Sequence, residues 1–346
     1  MRAKGINFDT GFADSYARRA GWSTREPFDP TVVEREMRVI REDLHCTAVR
    51  ITGGDPERLK VAAGYAAAAG LEVWLCPFTC DITADELLAV IADCAEYGEV
   101  LRRRGAEVVL VTGSELSLVT DGFLPGATFR DRIPLLTRPE RLREVIPLVP
   151  GRVNAFLGKA VAVARERFGG RISYSSLPFE QVDWTPFDII ATDAGYRSAA
   201  TAATYRESVR ALVAQGRALG KPVSINEFGC VTHRGAADLG ERGDSIIDWG
   251  DDGAPTGLTG DPVRDEHEQA AYLREVLDIL DAEGVDSAFW YTFARYDLPH
   301  RDDPRMDFDL ASPGVVKVLE GRRGTTYPDL PWEPKAAFTA LADWRP

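Results

Sequence analysis

The sequence predicts an α/β fold: a single (β/α)8 TIM barrel spanning residues 1–346, with long loops after strands four, seven and eight. Three observations carry this reading. Eight short apolar segments alternate with amphipathic helical stretches almost from end to end. The segments are apolar throughout instead of alternating, which suits parallel strands covered by helices. No Gly-x-Gly-x-x-Gly turn and no Walker loop is present, so the open doubly wound sheet lacks its signature. A prior of roughly 150 residues per domain suggests two domains, but α/β barrels routinely run longer as one.

The elements follow in order. Lys4 to Phe8 reads as the first strand. A helix starts at Asp29-Pro30, an N-cap residue and a first-turn proline, with Val33, Met37, Ile40 and Leu44 on one face. Thr47 to Thr52 is the second strand, and Asp55-Pro56 repeats the helix start; that helix runs to Gly70. Leu71 to Pro77 is strand three. Thr83 and Glu86 have capping-box spacing for a helix ending near Gly105. Glu107 to Thr112 is strand four, and Arg171 to Ser175 follows a helix over Asn154 to Phe168. Strand six is Phe187 to Thr192 and strand seven Pro222 to Asn226, with a helix from Ala202 to Leu219 between them. Arg264 to Glu283 is helical, Asp286 to Thr292 is strand eight, and Glu333 to Trp344 closes the chain as a helix. Connections near 116–139, 229–262 and 294–334 are long enough to be functional, and the βα loops of a barrel share one face.

Composition excludes several classes of function. A net charge of −13 and a pI near 4.9 would repel nucleic acid. No apolar run approaches the ~20 residues of a membrane span. The opening Met1-Arg2-Ala3-Lys4-Gly5 lacks the apolar stretch of a signal peptide, so a cytoplasmic location is expected. Cys46, Cys76, Cys80, Cys94 and Cys230 are an odd, scattered set that reads as small buried residues. No metal-ligand spacing exists, so neither metal nor cofactor is expected. The acidic run from Asp302 through Asp309 reads as a solvated loop. His233 and His300 read as loop histidines, solvated or touching substrate.

The strongest signal is positional. Glu115 lies in Thr112-Gly113-Ser114-Glu115-Leu116, just past strand four. Glu227 lies in Asn226-Glu227-Phe228-Gly229, at the same end of strand seven. Two carboxylates so placed project into one cleft. Hydrolysis of a glycoside with retention needs such a pair: one protonates the leaving oxygen and later activates water, while the other attacks the anomeric carbon from ~5 Å away. The acid then needs a raised pKa and the nucleophile a depressed one.

At these residues the chain resembles the clan of retaining glycosidases with catalytic glutamates on strands four and seven, most nearly in outline glycoside hydrolase family 113, the β-mannanases. Thr112 to Leu116 is similar to that family's acid/base motif, Asp183-Trp184-Thr185-Pro186-Phe187-Asp188-Ile189-Ile190 to its approach to strand six, and Pro222 to Gly229 to its nucleophile strand. The resemblance implies Glu115 as acid/base and Glu227 as nucleophile. It also implies Arg50 on strand two as the residue that orients the nucleophile, Tyr196 as a hydrogen-bond donor to it, and Trp290 as a sugar platform. Ser114 stands where much of the clan has an asparagine that contacts the sugar 2-hydroxyl.

Further substrate-binding candidates are Asn226 beside the nucleophile, Trp249 in the seventh loop, and Asn7 and Asp9 at the end of strand one. The expected partner is a small carbohydrate or glycosylated metabolite; oligomeric state is not legible. Transglycosylation on the same scaffold and a non-catalytic carbohydrate-binding barrel are the alternatives. An aldolase- or isomerase-like barrel would need a strand-end lysine or a ligand cluster, and neither is found.

Overall fold

The computed structural model describes residues 1–12, 23–136, 138–250 and 253–346. Eight parallel strands close into a barrel: Ala3–Asp9, Ala48–Gly53, Glu72–Pro77, Val108–Ser114, Arg171–Ser176, Ile190–Thr192, Val223–Phe228 and Ser287–Trp290, numbered one to eight below. Closure pairs Ile6 of strand one with Trp290 of strand eight. Helices cover the outside, so the strands are buried almost without interruption.

Helix starts follow local chemistry. Asp29 and Asp55 accept from the first-turn amides of the helices Pro30–Glu42 and Pro56–Ala68. Thr83 and Glu86 form the reciprocal capping box of the helix Ala84–Arg103. Inside the barrel Trp74 packs on Phe289 with ring centroids 4.8 Å apart, above Ala3 and Ala48 and beside Val109 and Val111. Gly5 makes room for this layer: a Cβ there would lie 2.3 Å from the Phe289 ring. The buried Lys4 ammonium donates to the carbonyls of Leu44 and Leu341 at 3.0 and 2.9 Å, tying the C-terminal helix to the wall.

Several expectations are corrected. The helix before strand five begins at Val149, ahead of Asn154, with Pro150 in its first turn, where a missing amide costs nothing. The closing helix is Ala336–Asp343; Trp332–Pro334 instead pairs antiparallel with Val316–Val318. The long connections carry structure of their own. The fourth holds the helices Leu116–Val119, Phe129–Leu136 and Pro139–Val145, and the seventh holds the hairpin Ile247–Trp249 with Pro255–Leu258. Strand five leads to strand six through a single 3-10 turn, Pro178–Glu180, with no helix.

Four of the five cysteines are buried and Cys80 is half-buried; burial pushes the Cys46 thiol up to about 12 and Cys76 up to about 11. The acidic run is a solvated loop only in its first half, where Asp302 and Asp303 are exposed. Asp307 and Asp309 are buried against Arg264, at 2.8 Å each, and Asp309 also meets Lys335. No helix of the described residues is long and apolar enough to cross a membrane.

Candidate active site

Glu115 and Glu227 line one cavity of about 380 Å³ at the C-terminal mouth of the barrel. That lies at the small end of ligand cavities, ~300–1,000 Å³. Two larger hollows of about 660 Å³ lie at the foot of the barrel and outside strand six, and neither holds the pair. Phe12, Phe78, Phe129 and Ile133 give the cavity an apolar wall. Asp9, Asp244, Tyr291, Arg295 and Asp297 supply polar groups, and Trp249 and Gly253 of the seventh loop form part of its rim.

The two glutamates sit on different backbones. Glu227 is the last residue but one of strand seven, in extended conformation. Glu115 follows strand four in the left-handed region, at φ 49° and ψ 38°. A side chain with a Cβ adopts that conformation at a cost of about 1–2 kcal/mol, which the surroundings must hold in place. They do so through three consecutive amides: Glu115 N donates to Ser175 O (3.0 Å), Leu116 N to the Tyr174 hydroxyl (2.9 Å) and Ser117 N to Glu180 (3.0 Å).

Arg50 is fully buried and bridges two carboxylates. Its Nη1 donates to Glu227 Oε1 and Asn7 Oδ1, both at 3.0 Å, and its Nη2 to Asp193 Oδ2 at 3.3 Å. Ser114 donates its hydroxyl to the same Asp193 oxygen. The end of strand four is thereby joined to Glu227 through Ser114, Asp193 and Arg50. A buried guanidinium needs such partners, and removing one of a buried pair typically costs ~3–5 kcal/mol.

Burial pushes both catalytic candidates above the ordinary carboxylate range, so the depressed nucleophile pKa expected from sequence is not found. Glu227 rises to about 8, with the Asp193 charge adding to burial, while Arg50 and the Tyr196 hydroxyl favour its ionised form. Glu115 is also raised well above that range: burial comes first, then the charges of Glu227, Asp193 and Glu180, opposed by Arg50. The neighbours of the two groups pull in different directions: Arg50 and the Tyr196 hydroxyl favour an ionised Glu227, while the anions around Glu115 favour its protonated form.

The sequence-predicted residues divide into three groups. Glu115, Glu227, Asp9 and Trp249 line the cavity, and Trp249 is 43% exposed. Arg50, Ser114, Asn7 and Asn226 lie directly beneath it. Asn7 donates to Asn226 O at 2.8 Å, and Asn226 is held by the hydroxyls of Ser175 and Ser224 at 2.5 and 2.6 Å, so these amides brace the site instead of meeting its contents. Tyr196 is half-buried and reaches toward Glu227 from beyond strand six.

Trp290 is a correction. It is fully buried, donates its indole N–H to Pro313 O at 3.0 Å and stacks edge-on against Phe228. Strand eight alternates: Phe289 packs inside the barrel, Trp290 turns outward onto Tyr272 of the covering helix, and Tyr291 lines the cavity in its place. His233 and His300 are away from the cavity. His233 bridges the carbonyls of Arg234 and Gly243 at 3.0 Å, and His300 pairs with Asp307 at 2.9 Å.

Sequence reasoning missed Asp193, Glu180, Asp244 and the bidentate Arg295–Asp297 pair, whose contacts measure 2.8 and 2.6 Å. The Arg295-Tyr296-Asp297 triplet directly after strand eight was the available signal for that pair. Asp193 offered only its place at the end of strand six. Among the described residues no group of three or more His, Cys, Asp and Glu side chains could hold a metal ion.

No protein-family model matches the chain, and no curated protein matches it in sequence. In fold it is similar to the family 113 β-mannanase of Alicyclobacillus acidocaldarius, solved in complex with ManMIm. The TM-score is 0.58 at 14% identity, covering 99% of this chain and 96% of that one. It is also similar to an exo-β-1,4-mannosidase from Opitutaceae bacterium strain TAV5, with TM-score 0.54, 14% identity, 99% of this chain and 59% of that chain. For a Bacteroides uniformis β-glucuronidase bound covalently to cyclophellitol-6-carboxylate aziridine the values are 0.51 and 13%, with 92% of this chain and 33% of that chain. The fold is therefore a barrel shared with glycoside hydrolases, in agreement with the resemblance read from the sequence.

Proposed function

We propose that the whole chain is one catalytic domain, a retaining glycoside hydrolase that cleaves a small β-linked glycoside or oligosaccharide without a cofactor. The observation that carries this reading is the pairing of Glu115 and Glu227 in one cavity, with the cation and the tyrosine hydroxyl on Glu227 and the greater weight of negative charge around Glu115.

The chemistry runs in two displacements. The Glu227 carboxylate attacks the anomeric carbon as the glycosidic C–O bond breaks and Glu115 delivers its proton to the leaving oxygen. A glycosyl ester on Glu227 results. Glu115, now ionised, takes a proton from water; the water oxygen bonds to the anomeric carbon and the ester C–O bond breaks, restoring both groups. The Glu227–Arg50 contact at 3.0 Å supplies the orientation the first step needs. Trp249 at the rim offers an aromatic face to a sugar beyond the cleavage point. The mannan-active neighbours make β-mannosides the first substrates to try.

The test is turnover of aryl β-mannosides, β-glucosides and β-galactosides, followed by proton NMR of the first-formed sugar. Retention predicts the β-anomer before mutarotation. First formation of the α-anomer contradicts the covalent route, and saturable binding without turnover on a broad panel would favour a carbohydrate-binding barrel.

A further inference from the structure

We infer that Glu180 is a positioning residue for the acid/base: its buried carboxylate fixes the left-handed turn that carries Glu115 and places a negative charge behind it. The inference rests on the assignment of Glu115 given above and names a group which that assignment does not contain.

Glu180 ends the 3-10 turn after strand five and is completely buried. Its carboxylate accepts four hydrogen bonds. Ser117 gives two, from Oγ at 2.7 Å and N at 3.0 Å, both to Oε1; the Tyr174 hydroxyl at 2.8 Å and Leu177 N at 2.9 Å reach Oε2. Two of the four, Ser117 N and Leu177 N, can only donate. Burial pushes the Glu180 carboxyl up, and the four hydrogen bonds oppose it by favouring the ionised form.

The consequence reaches Glu115 by two routes. Mechanically, the amides of residues 116 and 117, directly after it, end on Tyr174 and Glu180, so the turn cannot relax to a right-handed conformation without breaking both. Electrostatically, the charged groups that bear most on Glu115 are Glu227 from strand seven, Asp193 from the end of strand six, Glu180 from the turn after strand five and Arg50 from strand two, with the Tyr196 hydroxyl also in range. Of the three anions, Glu227 is consumed as nucleophile and Asp193 is paired with Arg50. Glu180 has no cation in salt-bridge reach among the described residues, so its charge is left to act on Glu115. Burial and this charge act in the same direction, toward the protonated acid.

The test is Glu180→Gln, which keeps the shape and removes the charge. Carbon-13 NMR of labelled glutamate carboxyls, with the Glu115 resonance assigned from its loss in Glu115→Gln, should show the Glu115 titration midpoint falling by about half a unit or more. For aryl glycosides with poor leaving groups kcat should drop by ~10²-fold with KM within about twofold, while activated leaving groups should lose far less. A folded Glu180→Gln protein whose Glu115 midpoint is unchanged overturns the inference. If the wild type turns over no glycoside and the midpoint still falls, positioning stands and the glycosidase reading is what fails. If Glu180→Gln does not fold, Tyr174→Phe takes its place. The Leu116 amide should then exchange faster with solvent and kcat should fall at unchanged KM for poor leaving groups; no change in either overturns the inference.

Discussion

The ends of strand four and strand seven carry the same residue type in opposite settings. Glu227 lies within the extended end of strand seven, with Arg50 at 3.0 Å and the Tyr196 hydroxyl toward it. Glu115 sits on a strained left-handed residue with Glu180, Asp193 and Glu227 as its charged company. Burial raises both, so desolvation alone would make the two glutamates alike. The difference comes from what each carboxylate meets: a cation and a hydroxyl in one case, a preponderance of anions in the other. That difference is what the proposed division into nucleophile and acid rests on.

The sharpest way to break this comparison is to delete one side of it. Glu227→Gly should lower kcat by ~10⁴-fold or more, since no covalent route remains. An unaffected rate would remove Glu227 from the chemistry. Glu115→Gln should cost ~10²–10⁴-fold for poor leaving groups and much less for activated ones, because only the former need the proton. Equal losses across leaving groups would mean that Glu115 is not the acid.

Much of this arrangement was legible in the sequence because its causes are local. Asp29-Pro30, Asp55-Pro56 and the Thr83–Glu86 box announce helix starts through contacts within one turn. The glutamates could be found because a strand end fixes where a side chain points. Arg50 was legible for a related reason, since a buried arginine on a barrel strand demands a carboxylate. Parity was harder. Phe289, Trp290 and Tyr291 are all large and aromatic, so the sequence does not show that Phe289 and Tyr291 point inward and Trp290 outward. Asp193 and Glu180 were illegible because their partners are remote: Arg50 is 143 residues from Asp193, and Ser117 is 63 from Glu180. The short helices and hairpin of the fourth and seventh connections escaped for want of a periodicity long enough to read.

A smaller effect concerns stability, and its sign follows from the raised value on Glu227. Burial holds that group near 8 when folded, above its unfolded range, so the folded state binds the extra proton. Its contribution to stability is full below the unfolded carboxylate range and is lost as pH rises toward 8. Glu227→Gln is neutral at every pH. Its Tm should therefore fall less than that of wild type between pH 4 and pH 8, by about 2 °C, whatever constant cost the weakened Arg50 contact adds. An equal or steeper fall in the variant would show that Glu227 does not hold the extra proton. The smallest effect belongs to the rim. Trp249→Ala should raise KM by about three- to tenfold for a disaccharide and leave kcat within about twofold, as loss of uniform binding does. Steady-state kinetics on mono- and disaccharide aryl glycosides checks this.

The central claim is that Glu227 forms a bond to the sugar. The direct measurement is intact-mass and peptide analysis after reaction with a 2-deoxy-2-fluoro-β-mannosyl fluoride, in which the electron-withdrawing fluorine slows breakdown of the ester more than its formation. The account predicts one added glycosyl mass, carried by the peptide containing Glu227 and lost in Glu227→Gly. A label on any other carboxylate, or labelling that persists in that variant, would contradict it.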